Sequence, residues 1–146
     1  MLEVAVTFPK ECSEVKCLQL AMALLCLLVL DFLWLHVVNN KLQLDFYSGS
    51  FDRSQIVPYY GLIAWLSLSI GIASLRHTAS APEAAAWGAL VALVGYGTFN
   101  GTEAAIRPRW RNAKIIAGDL LWGLSACTAS SLVAQQVAKK AAATMC

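Results

Sequence analysis

An all-α integral membrane four-helix bundle is the fold this sequence predicts. Three observations lead there. The chain is 58% hydrophobic and only 14% charged, whereas soluble domains carry about a quarter charged residues. Four apolar stretches each approach the roughly 20 residues that cross a hydrocarbon core as a helix. Nearly all the charge falls in the tails and connections between them.

The 146 residues allow one domain. An N-terminal tail, 1–15, precedes a four-helix domain, 16–138, and a C-terminal tail, 139–146, follows it. The first span, about 16–38, is rich in leucine and is read as a retained membrane helix that doubles as its insertion signal. The tail before it carries Glu3, Glu11 and Glu14 and no arginine, unlike a transit peptide. The second span, about 56–75, opens with Pro58, which a first helical turn tolerates, and with Tyr59 and Tyr60, which suit an interfacial belt. The third, about 84–106, follows Pro82 and is rich in glycine and alanine. The fourth, about 115–137, ends before Lys139 and Lys140.

Four spans place both termini on one side. Lys41, Arg53, Arg107, Arg109, Arg111 and Lys114 fall on the other, against Lys10, Lys16, Arg76, Lys139 and Lys140 on the terminal side. The dense cluster in the third connection points that side to the cytosol or its equivalent and leaves the termini outside.

Three acids sit inside apolar spans: Asp31, Glu103 and Asp119. The threading brings all three to one leaflet, near the Arg-rich connection. A carboxyl in hydrocarbon needs a partner, a proton or a water-filled cavity. Tyr96, Asn100 and Glu103 recur at i, i+4 and i+7 and make one polar stripe on the third span. Asp31 shares a helix face with Trp34, and Asp119 shares one with Trp122. These seven residues, Asp31, Trp34, Tyr96, Asn100, Glu103, Asp119 and Trp122, are the candidates for binding a ligand or ion.

Other features carry plainer readings. Gly97-x-x-x-Gly101 is a close-packing motif, read first as internal helix packing and then as a dimer face. Arg107, Arg109, Trp110 and Arg111 set topology and anchor the interface, and the same charges suit anionic lipid head groups. Cys12, Cys17, Cys26, Cys127 and Cys146 have neither disulfide nor zinc spacing. His36 and His77 are isolated, so no metal site is expected. A net charge of +2 and the lack of a basic, aromatic-interleaved stripe argue against nucleic acid. No nucleophile elbow, phosphate loop, HExxH or dinucleotide signature points to a catalytic residue or a known cofactor.

The residues also form phrases. Asp31, Trp34 and Leu35 match Asp-x-x-Trp-Leu, and Asp119, Trp122 and Gly123 match Asp-x-x-Trp-Gly. Thr98, Phe99, Asn100, Gly101, Thr102 and Glu103 align with Thr-Tyr-Asp-x-Thr-Asn. In these phrases, from Leu20 to Leu132, the chain resembles the uncharacterised membrane-protein family called domain of unknown function 2177. The resemblance implies four spans and an acidic cluster, and no activity. The third phrase departs from the pattern: the acid expected at 100 is Asn100, and the amide expected at 103 is Glu103.

Two functions follow as expectations. One is a small multi-pass membrane protein whose one-leaflet acidic cluster binds or transports a ligand, proton or ion. The other is an accessory subunit of a larger membrane complex. The partners expected are the lipid bilayer and either a second copy or such a complex.

Overall fold

The computed structural model describes residues 13–34, 58–108 and 111–145. Four helices run through them: α1 (Ser13–Leu33), α2 (Pro58–Ala73), α3 (Ala81–Ile106) and α4 (Ala113–Met145). No strand occurs among the described residues. The protein is an all-α four-helix bundle.

Long-range contacts give the direction of each helix. Lys16, early in α1, reaches the carbonyls of Ala73 and Leu75 at the end of α2. Asp31, in the last turn of α1, meets Trp65 midway along α2 and Trp122 in the first third of α4. Asn100, late in α3, meets Asp119 early in α4. Each helix is therefore antiparallel to the next, and α1 is antiparallel to α4. α4 is the central element, packing mainly against α3 and α1 and less against α2.

The bundle is apolar outside and partly polar inside. Leu25, Val29 and Phe32 on α1, Leu62, Ile63 and Ile70 on α2, Leu90, Val94 and Phe99 on α3 and Leu121 on α4 are exposed. Gln19, Asp31, Ser69, Asn100, Ser130, Ser131 and Gln135 are buried. A water-soluble bundle reverses this arrangement. α1 and α4, at 21 and 33 residues, are long and apolar enough to cross a membrane. α2 contributes a shorter apolar segment, Gly61–Ala73.

The buried faces repeat every four residues. On α1 the stripe is Val15, Gln19, Ala23, Leu27 and Asp31. On α3 it includes Ala84, Gly88, Ala92 and Asn100. On α4, Gly123, Cys127, Ser131 and Gln135 form one row beside a second row of Ala126, Ser130, Ala134 and Ala138. Rows at i and i+4 are the ridges that interdigitate between packed helices. Small residues let the backbones approach, which matters where lipid removes the hydrophobic drive between helices.

Gly88 marks the closest approach of α3 to α4. A Cβ there would stand 2.6 Å from the Cys127 carbonyl oxygen and 2.8 Å from Thr128 Cα. Gly123 receives the ring of Tyr96, and Gly95 receives Leu68. Gly97 and Gly101 do not serve the internal packing expected of them, since a Cβ at either meets nothing within 4 Å. The close-packed row of α3 lies on another face and uses alanines alongside one glycine. That is why the paired-glycine motif pointed elsewhere.

The ends of the helices have local causes. Ser80 caps α3: its side chain accepts from the Glu83 N–H, and the Glu83 carboxylate accepts from the Ser80 N–H at 2.7 Å. Arg76 adds an ion pair to Glu83 at 3.1 Å. Backbone and side-chain hydrogen bonds from Ser80, then the bond from Arg76, hold the Glu83 carboxyl below its usual range. Asn112 starts α4, its side chain accepting from the Lys114 N–H at 3.0 Å. α4 runs on through Lys139 and Lys140 to Met145, so the stretch expected to be a tail is helical. Alanine-rich sequence favours this. The N-terminal tail up to residue 12, the end of the first span, the whole of the first connection and the first two residues of the second span lie outside the described residues.

Two outcomes follow. Gly88→Ala forces backbone atoms apart and is expected to cost about 1–3 kcal/mol, whereas Gly97→Ala stays within about 0.5 kcal/mol. Thermal unfolding of both variants in mild detergent checks this. Because the Glu83 pKa is lowered in the folded chain, the stability contributed by its carboxylate is present at neutral pH. It is lost as the pH falls through the folded-state pKa. A Ser80→Ala variant should show a smaller loss of Tm between neutral and acidic pH than the parent.

Candidate functional site

The buried stripe of α1 ends on Asp31, only 7% exposed. Enclosed by the bundle, its oxygens need donors. Two indoles supply them. Trp65 of α2 donates through Nε1 to Oδ2 at 2.5 Å, and Trp122 of α4 donates through Nε1 to Oδ1 at 2.7 Å. One carboxyl thus joins three helices. Trp34, three residues past Asp31, stacks on Trp122 with ring centroids 4.7 Å apart and planes 6° from parallel. The stack fixes the plane in which the Trp122 N–H points.

The second carboxyl lies beside the first. Asn100, 2% exposed, donates through Nδ2 to Asp119 Oδ2 at 2.6 Å and to the Tyr96 carbonyl at 2.9 Å. The bond to the carbonyl four residues back anchors the amide on its own helix. Tyr96 lies over Gly123, and it is within electrostatic reach of both Asp31 and Asp119. Among the described residues, Asn100 is the hydrogen-bond partner of Asp119, through one of its two oxygens.

Six of the seven candidates therefore converge: Asp31, Trp34, Tyr96, Asn100, Asp119 and Trp122. Glu103 lies one turn further out on α3 and pairs with its own neighbour, Arg107, whose Nε is 3.0 Å from Oε2. That pair rests on proximity of charge, because Oε2 takes no aligned hydrogen bond. Arg107 and Arg111 are exposed at this end of the bundle, and Arg111 Nε donates to the Ala104 carbonyl at 3.0 Å, closing the end of α3. Arg109, Trp110 and His36 lie outside the described residues. Among the described residues, no three His, Cys, Asp or Glu side chains are placed to hold a metal ion.

Trp65 is the member that sequence reasoning missed. The signal was available: it stands about two turns into α2, as Asp31 stands near the end of α1, and antiparallel neighbours put those levels together. An indole N–H there needs an acceptor.

An apolar exterior, a partly polar interior and two helices long and apolar enough to cross a bilayer mark an integral membrane protein. Residues 17–136 match the family model described as "Predicted membrane protein (DUF2177)", and the chain belongs to that family. The Asp31, Asn100 and Asp119 phrases all lie within the match. No curated protein and no solved structure matches the chain.

Removing the Asp31 carboxyl leaves two half-buried indole donors unmatched, at about 1–3 kcal/mol each where water cannot reach them. Asp31→Leu is therefore expected to destabilise the bundle by at least about 2 kcal/mol. Trp65→Phe removes one donor and should cost nearer ~0.6–1 kcal/mol, typical of a hydrogen bond between membrane helices. Thermal unfolding in detergent measures both. Loss of the Trp65 indole N–H shift in the Asp31→Leu NMR spectrum would identify the bond itself.

Proposed function

We propose that the protein crosses the bilayer four times and uses Asp119 to bind a proton or a small donor-bearing ligand at one leaflet. The apolar exterior supports four spans, because it covers α2 and α3 as fully as α1 and α4. The exposed Arg107 and Arg111 support placing the acid-bearing end at the cytosolic face or its equivalent, with the termini outside. The same arginines are placed to meet anionic head groups.

One observation carries the binding reading. The two carboxyls are engaged differently. Asp31 has both oxygens occupied by indoles from its own bundle. Asp119 has one oxygen held by a buried amide and is only half-buried. Asp31 is a structural tie, and Asp119 is the group free to exchange a partner. Tyr96, Trp122 and Trp34 frame it. Glu103 holds Arg107 at the rim and tunes the approach.

A hydrophobic carbodiimide tests this directly, since it modifies proton-bearing carboxyls in apolar surroundings. The expected result, read by peptide mass spectrometry of the protein in native membranes, is modification at Asp119 and none at Asp31. Asn100→Ala should speed the reaction by freeing the second oxygen. Equal labelling of both acids, or no label on Asp119, would overturn the reading.

The accessory-subunit reading draws on a different observation: Gly97 and Gly101 face open space beside exposed Phe99. A second copy or a larger complex is the occupant it requires. Native electrophoresis from mild detergent separates the cases. A small species unchanged by Gly97→Leu supports the self-contained site.

A further inference from the structure

The far end of the bundle holds a second polar cluster, built around the turn between α2 and α3. Its carbonyls point inward and are captured by side chains from two other helices. Lys16 donates through Nζ to Ala73 O at 3.1 Å and to Leu75 O at 2.8 Å. Gln19 donates through Nε2 to the same Leu75 O at 3.1 Å. Gln135, from α4, donates through Nε2 to His77 O at 3.2 Å and to Ala79 O.

These bonds fix which way each amide faces. Turning either one over would set its oxygen against backbone carbonyl oxygens. The orientation leaves Gln19 Oε1 and Gln135 Oε1 buried with no hydrogen-bond donor among the described residues. Both residues are almost wholly enclosed, at 0% and 1% exposure. Ser130 Oγ, five residues earlier on α4 and 0% exposed, likewise has no partner among the described residues. Buried acceptors are nearly always matched, and ordered water is the usual partner where protein supplies none.

We propose that this end of the bundle is a buried hydration site, in which ordered water donates hydrogen bonds to Gln19 Oε1 and Gln135 Oε1. The antiparallel register of α1 and α4 supports a shared site. Asp31 meets Trp122, so Gln19, three turns back on α1, stands at the level of Ala134 and Gln135. Both amides also grip one short stretch of the turn, 75–79. Neutral oxygens of this kind also suit a monovalent cation. Lys16 decides against one: its ammonium shares the Leu75 carbonyl with Gln19, so a second positive charge beside it would be repelled. Water carries no such penalty and can donate to two acceptors at once. The site does not depend on the ligand reading of Asp119. It gives the bundle a wet, polar end opposite the acid-bearing one, separated from it by the core of Ala23, Leu27, Ala92, Ala126 and Cys127.

Solution NMR of the full-length protein in lipid nanodiscs, with ¹⁵N-labelled glutamine amides, tests the proposal. Gln19→Leu and Gln135→Leu assign the two side-chain signals. Cross-relaxation between a long-lived water and the Nε2 protons of both residues is expected in the parent protein. Gln135→Leu should abolish the water cross-peak at Gln19, because the bridge loses one acceptor. Absence of a water cross-peak at both amides in the parent protein would overturn the site. So would shifts of both signals on exchanging sodium for thallium, which would identify a cation instead. The parent spectrum decides even where a leucine variant does not fold.

Discussion

The carboxyl of Asp31 is the constraint on which the bundle's geometry turns. A buried carboxyl must be matched on both oxygens, and the donors here come from α2 and α4. That single match fixes the height of α1 against two neighbours. Once α1 is set against α4, Gln19 falls at the level of Gln135, and the α2–α3 turn lies within reach of both. The Trp34–Trp122 stack keeps one donor aimed, so the match is made by rigid groups at little cost in side-chain entropy.

Between the two polar ends the helices need something other than hydrophobic drive, because lipid is as apolar as leucine. Close contact supplies it. Ala84, Gly88 and Ala92 of α3 lie against the row of Gly123, Cys127 and Ser131 on α4, and Gly88 brings one backbone onto the other. Ser131 also donates to the Ala84 carbonyl at 2.7 Å, a hydrogen bond only such proximity permits. The large side chains are displaced outward, which explains why Leu90, Val94 and Phe99 are exposed while alanines form the core.

Much of this was legible in the sequence, and the failures share one cause. Helix number, antiparallel order and the convergence of Asp31, Asn100 and Asp119 follow from periodicity and span length, which are local properties. Trp65 was missed because an indole in an apolar run looks like any lipid-facing aromatic until its acceptor on another helix is known. Gln19 and Gln135 escaped for the same reason: they sit near span ends, where amides are ordinary. Glu103 was placed in the cluster by its spacing from Asn100. The spacing is right, but Arg107, one turn on, offers a charge that the cluster does not. Gly97 and Gly101 satisfied a motif whose face only the packing reveals.

The departure from the family phrase gains a physical meaning in this geometry. The phrase that this stretch resembles has an acid at 100 and an amide at 103, and this chain has Asn100 and Glu103. Position 100 is buried and touches Asp119 at 2.6 Å. An acid there would set two carboxyls in contact, which requires them to share a proton. Asn100 replaces that contact with an ordinary donor–acceptor bond. The displaced acid reappears at 103, where the chain leaves the bundle interior and Arg107 meets it at 3.0 Å. The exchange conserves charge along α3 but changes what it does. It removes an acid from the shared site and leaves Asp119 as the one carboxyl there with an oxygen not committed to a bond within the described bundle.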